Sequence, residues 1–197
     1  MNDVVLSLYS MAMREYMRNH DDFETKSINM LVPFSFREVP RKAEDHQYEN
    51  DFSALCFTLP LSGEFNDALE KVQATTGSMK NSIYPFGLMA LTQLIAWFPG
   101  TVGQLVMMWV VSKATVVLSN VPGPKTGLFW PSLGTKALGF IGWIPGLSDL
   151  AFGVSIMSLG ERMYMAIQAD TSYVKNPSEI RDIINRLYDE MALQVRK

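Results

Sequence analysis

The chain has 197 residues, 48% hydrophobic and 19% charged, with a formal net charge of −3. That length suits one domain spanning residues 1–197 with a sizeable core, and an acidic chain without a basic stripe or arginine-rich tract argues against a nucleic-acid partner. Cys56 is the only cysteine, so an internal disulfide is ruled out, an intracellular reducing compartment fits, and no secretory signal pattern opens the chain.

The opening run predicts a helix. Val4, Val5, Leu8, Met11, Ala12 and Tyr16 recur at three- and four-residue spacing and give one apolar face. Asn2 suits the N-cap, and Asp3 suits the positive end of the helix dipole. The helix gives way near Asn19 to the polar turn His20-Asp21-Asp22. A strand is expected from Ile28 to Phe36, with Pro33 marking an edge or a bulge. The charged stretch Arg37 to Asp51 reads as a solvated loop. Both histidines, His20 and His46, fall in polar loops and read as exposed and non-catalytic. A second apolar strand runs from Ser53 to Leu61, where Cys56 reads as a packed small hydrophobe.

Gly63 to Lys80 is expected to be a helix with Phe65, Leu69, Val72, Thr76 and Met79 inward and Ser62 as its cap. Ile83 to Ser112 carries no charge, and Pro85-Phe86-Gly87 and Pro99-Gly100 punctuate it. Its pieces of about 11–12 residues fall short of the roughly 20 needed to span a bilayer. They read either as a buried helical hairpin or as an interfacial, membrane-dipping pair, which Trp97, Phe98 and Trp109 would suit.

Thr115-Val116-Val117-Leu118 is a β-branched run that reads as a buried strand. It stops at Ser119-Asn120-Val121-Pro122-Gly123-Pro124. Pro122 and Pro124 lack backbone donors, and Gly123 between them is free to take unusual φ. The strand therefore delivers Ser119 and Asn120 to a rigid turn, and in open α/β sheets ligands often sit beyond strand ends. Gly127 to Gly139 reads as a loop and Phe140 to Ile144 as a short strand. Phe152 to Leu159 and Met163 to Asp170 form a hairpin turning at Gly160-Glu161. The last helix is capped by Asn176, with Pro177 in its first turn and Glu179 at capping-box spacing. About six strands and five helices in mixed order predict an α/β fold, a two-layer sandwich around a mixed sheet.

Charge is unevenly spread. Residues 1–70 carry 13 acids and 6 bases, whereas residues 71–148 carry no acid and 5 lysines. An acid-free, weakly basic, apolar middle suits anionic lipid headgroups or an acyl-CoA, and equally a core segment with a few solvated lysines.

In order, Asn2-Asp3-Val4-Val5-Leu6, Leu31-Val32-Pro33-Phe34-Ser35, Leu59-Pro60-Leu61 and Ser119-Asn120-Val121-Pro122-Gly123-Pro124, followed by a hairpin and a final helix, carry a resemblance. The chain resembles the C-terminal half of the bifunctional wax ester synthase/acyl-CoA:diacylglycerol acyltransferase family. The resemblance implies one lobe of a chloramphenicol acetyltransferase-like fold, whose two lobes enclose the active-site tunnel. It implies esterification of a fatty alcohol or diacylglycerol with acyl-CoA as substrate. Asn2, Asp3, Ser119, Asn120, Pro122 and Gly123 would then line or hold the tunnel.

The family's catalytic base lies in a His-His-x-x-x-Asp-Gly motif of the N-terminal lobe, and neither histidine here sits in such a motif. Glu49-Asn50 also stands where the family usually has Gly-Asn. The chain has no Gly-x-Ser-x-Gly elbow, phosphate loop, Cys/His metal spacing or Rossmann glycine fingerprint, so no cofactor and no catalytic residue is expected from it. Two readings follow. One is an acyltransferase half that supplies the tunnel wall and works with an N-terminal catalytic lobe. The other is a non-catalytic lipid-binding or structural subunit of a larger membrane-associated complex.

Overall fold

The computed structural model describes residues 2–35, 52–80, 100–146 and 150–195, with isolated positions between 87 and 98. The expected loop at 37–51, with His46 and Glu49-Asn50, and most of Ile83 to Pro99 lie outside the described residues. Helix α1 spans Asn2–Asn19, strand β1 Ser27–Ser35, β2 Phe52–Pro60 and helix α2 Phe65–Lys80. Helix α3 covers Gly100–Val111 and β3 Val116–Val121. The short strands β4 (Phe129–Trp130) and β5 (Thr135–Lys136) follow, then β6 (Phe152–Leu159), β7 (Arg162–Ala169) and helix α4 (Pro177–Val195).

Five strands form one mixed sheet in the order β2-β1-β3-β6-β7. The β1–β3 and β3–β6 pairs are parallel, and the two outer pairs are antiparallel. Strand alternation divides the sheet into two faces. Met30, Leu59, Val116, Val154 and Ile167 face the helices and join Leu8, Tyr9 and Met13 of α1 and Ile183 and Leu187 of α4 in the main core. The other face carries Leu31 and Val117, packed with Val111, Ala114 and Leu150 in a smaller cluster.

The mixed α/β expectation holds, and several local expectations change. Pro33 does not mark an edge: β1 is an inner strand. Its pairing with β3 extends only over Met30 and Leu31, so at Pro33, opposite Ala54 of β2, no described ladder on the β3 side requires an N–H. Phe140 to Ile144 is not a strand. Residues 137–146 form an irregular strap whose carbonyls are taken by side chains of β7: Tyr164 donates to Leu138 O and Gln168 to Ile144 O, each at 2.5 Å. The loop expected at 127–139 contains the β4–β5 pair. Ser62 stands before the first turn of α2; its hydroxyl accepts from the Glu64 N–H at 3.2 Å and donates to Asp67 at 2.6 Å. The described half of the uncharged hairpin is buried on one face only: Val110 and Val111 pack against the sheet, whereas Leu105, Met108 and Trp109 of α3 are exposed.

Tyr9 is fully buried, and its hydroxyl has no hydrogen-bond partner among the described residues. Burial, then the neighbouring Tyr16, holds its ionisation far above the ordinary tyrosine range. An unfolded tyrosine ionises near pH 10, roughly. Below that pH both states are neutral and the group adds nothing; above it the unfolded state loses a proton that the folded state keeps, so stability falls as pH rises. Tyr9→Phe is therefore expected to stabilise by up to about 1 kcal/mol and to flatten the alkaline loss. Urea melts across the alkaline range check this, and an unchanged alkaline slope would disprove it.

Candidate functional site

β3 ends where Pro122 can no longer donate to β6. Up to that point Ser119 opposes Ser155, Asn120 opposes Ile156 and Val121 opposes Met157. The next three residues are clamped to the β6–β7 turn. The Gly123 N–H, the one donor left between two prolines, donates to Ser158 Oγ at 2.9 Å. In return the Gly160 N–H donates to Pro124 O at 2.9 Å, and Gly160 takes φ 61° at the turn. The approach is so close that a Cβ on Gly123 would lie 1.8 Å from the Ser158 carbonyl oxygen. Glycine is thus required at this position for contact, although its φ is not left-handed. Pro122 and Pro124 are exposed and Gly123 is half-buried, so the turn forms a fixed rim at the sheet end.

Ser119 and Asn120 are both half-buried, but alternation sends them to opposite faces. Ser119 shares the face of Val117, and Asn120 shares the face of Val116 and Leu118 in the main core. Beside Ser119, Ser155 is buried under the strap: a Cβ on Gly142 would lie 3.6 Å from Ser155 Oγ and 2.7 Å from Met157 Sδ. A Cβ on Gly139 would lie 2.9 Å from the Tyr164 ring. The strap thus turns small residues to the sheet and leaves Leu138, Ile141 and Trp143 exposed. Where it ends, a cavity of about 120 Å³ opens beside Val117, Pro145, Phe152 and Gln168.

Asn2 and Asp3 lie in the first turn of α1. Asp3 Oδ1 accepts from Thr76 Oγ1 at 2.9 Å, and Ser7 Oγ donates to the Asp3 carbonyl at 2.6 Å. Asp3 therefore ties α1 to the C-terminal part of α2, a role its position near the dipole alone does not express.

His20 is exposed, at the C-terminal end of α1, where its Nε2 lies 3.2 Å from Glu179 Oε2. Tyr16 also donates to Glu179 at 3.2 Å and stacks on His20 at 4.3 Å. Burial and then the Glu179 carboxylate push the Tyr16 hydroxyl above its ordinary range. Asn176 caps α4 through the Ser178 N–H, as expected, but the Glu179 side chain meets α1 in place of a capping box. Tyr16 packs edge-on against Phe152, the first residue of β6. Asn120 is level with Ile156, four residues on, so this cluster sits about 13 Å back along the sheet from the β3 end. Burial pushes the Cys56 thiol up, away from nucleophilic character. Among the described residues, no group of three His, Cys, Asp or Glu side chains is arranged to hold a metal.

The sequence does not single out Ser158, Tyr164, Gln168 or the strap. The signal for them is Gly139-x-x-Gly142 inside a run of bulky residues, a pattern that fits close approach to another backbone or ring.

Residues 48–192 match the family described as the WS/DGAT C-terminal domain. The chain is 28% identical over 143 residues to O-acyltransferase WSD of Acinetobacter baylyi, covering 70% of this chain and 30% of that protein. It superposes on the wax ester synthase/diacylglycerol acyltransferase of Marinobacter aquaeolei VT8 with a TM-score of 0.60 at 22% identity, over 97% of this chain and 41% of that one. The epimerization domain from the third module of tyrocidine synthetase B gives a TM-score of 0.52 at 12% identity, over 100% of this chain and 43% of that one. These likenesses show the fold, and this chain spans less than half the length of each of the three proteins.

Proposed function

The chain belongs to the WS/DGAT C-terminal domain family, and from that membership we propose that it forms the tunnel wall of an O-acyltransferase acting on an acyl-CoA and a long-chain alcohol or diacylglycerol. The observation that carries this reading is the clamped end of β3. A turn held by paired hydrogen bonds to β6–β7 keeps Ser119 and Asn120 in fixed positions at a sheet end, and fixed positioning is what a bimolecular transfer needs from a non-catalytic wall.

The chemistry requires a group this chain does not bring to that place. A hydroxyl attacking a thioester must lose its proton to a base within hydrogen-bond reach. The oxygen then bonds to the acyl carbon, the carbon–sulfur bond breaks, and the proton passes to the departing thiolate. His20 is paired with Glu179 at the other end of the sheet, and Cys56 is held as a thiol. An N-terminal lobe bearing His-His-x-x-x-Asp-Gly would supply the base. The exposed strap, with Leu138, Ile141 and Trp143 outward, gives such a lobe an apolar surface to meet.

The test is turnover of acyl-CoA with a long-chain alcohol. No thiol release is expected from the chain alone, and release is expected when it is co-expressed with a lobe carrying the motif. Turnover by the chain alone would refute the division of labour. Stable association without turnover would favour the structural-subunit reading.

A further inference from the structure

Helix α3 has 12 residues, none charged, and is about 18 Å long, too short to cross a hydrocarbon core of about 30 Å. Its apolar residues are not all spent on the protein. Val110 and Val111 pack with Leu31, Val117 and Ile144 on the strap face of the sheet. Val102, Leu105 and Trp109, spaced by three and four, form a second stripe facing solvent at 37%, 67% and 63% exposure. Phe98, just before the helix, extends that spacing and is 54% exposed. A helix that is apolar toward the core and again toward water has one face that no partner covers among the described residues.

Charge identifies the partner. The stripe ends at Lys113, whose Nζ stands 5.4 Å from the centre of the Trp109 ring. A tryptophan beside a lysine at the end of an apolar stripe is the pairing that seats a helix at the boundary of headgroups and acyl chains, the ring in the interface and the ammonium among phosphates. No carboxylate occurs from residue 71 to residue 148, whereas the rest of the chain is acidic; of the five lysines in that stretch, Lys71 is paired with Asp67 on α2 and Lys113 stands at the stripe. A protein interface core is depleted in lysine and needs no such separation of sign; an anionic surface selects for it.

We propose that α3 lies flat on an anionic phospholipid bilayer, with Phe98, Val102, Leu105 and Trp109 in the interface and Lys113 on the headgroup phosphates. This goes beyond the acyltransferase reading. Vesicle binding needs no turnover, so the two can fail separately.

The experiment is cosedimentation of the chain, alone and joined to its catalytic lobe, with vesicles of phosphatidylcholine or of phosphatidylcholine mixed with phosphatidylglycerol. Both forms are expected to sediment with the mixed vesicles and far less with neutral ones, and salt should weaken the binding. Leu105→Ser with Trp109→Ser should weaken binding more than about tenfold. Lys113→Gln should weaken it about fivefold, on mixed vesicles only. These side chains are exposed, so circular dichroism and melting should not change. Equal sedimentation with both vesicle types, or variants that bind as the parent does, would overturn the proposal. So would loss of binding once the catalytic lobe is joined, which would assign the stripe to the protein partner.

Discussion

Gly123→Ala is expected to destabilise the protein by more than about 3 kcal/mol, the range reserved for a named backbone or core disruption. The added carbon would sit 1.8 Å from Ser158 O, and both sides of that contact are backbone, so no side chain can rotate away. Relief requires the β3 end to lift from the β6–β7 turn. That removes the Gly123 bond to Ser158 and the Gly160 bond to Pro124 together. At about 2–4 °C per kcal/mol for a chain of this size, the melting temperature should fall by about 10 °C. Ser158→Ala is the comparison: it loses one hydrogen bond and keeps the close approach, so it should cost only about 1 kcal/mol. Thermal melts of the two variants separate steric from hydrogen-bond loss. Equal, small effects would show that the turn is not clamped.

How much of this was legible depends on where each constraint originates. The hairpin at Gly160 and the start of α4 at Asn176-Pro177 rest on local chemistry, a turn glycine and a cap, so they read directly from the chain. The amphipathic opening helix likewise carries its own period. The strap does not: Phe140 to Ile144 is an apolar run that looks like a strand, yet the Ile144 carbonyl, like that of Leu138 before the run, is taken by a side chain more than 20 residues on. Pro33 reads as an edge because the sequence cannot reveal that the β1–β3 ladder stops at Leu31. Glu179 has the spacing of a capping box, but Tyr16 of α1 and His20 just after that helix win its carboxylate, tertiary partners overriding a local one. For the candidate site, the strand end and its rigid turn were visible in two prolines and a glycine. What the turn is clamped to was not, because Ser158 has no signature of its own.

The opposed faces of Ser119 and Asn120 turn the tunnel-wall reading into a second large effect. A tunnel lying against one face of the sheet can meet only one of the two side chains. A tunnel crossing the open end of β3, where Val121 is 44% exposed and Pro122 is exposed, can meet both. The clamped turn gives the strand an end of fixed shape, and that favours the crossing geometry. Each side chain would then offer one hydrogen bond to substrate, worth about 1–1.5 kcal/mol, and Ser119→Ala and Asn120→Ala should each lower kcat/KM about tenfold in the two-lobed assembly. Because both would act on the same bound substrate, the double variant should lose less than the product of the two. Melting temperatures within about 2–4 °C of the parent would show that neither effect is a loss of fold. A strong effect from one substitution and none from the other would place the substrate against a single face and refute the crossing tunnel. Two inert substitutions would remove Ser119 and Asn120 from the tunnel wall and leave the clamp with a structural purpose only.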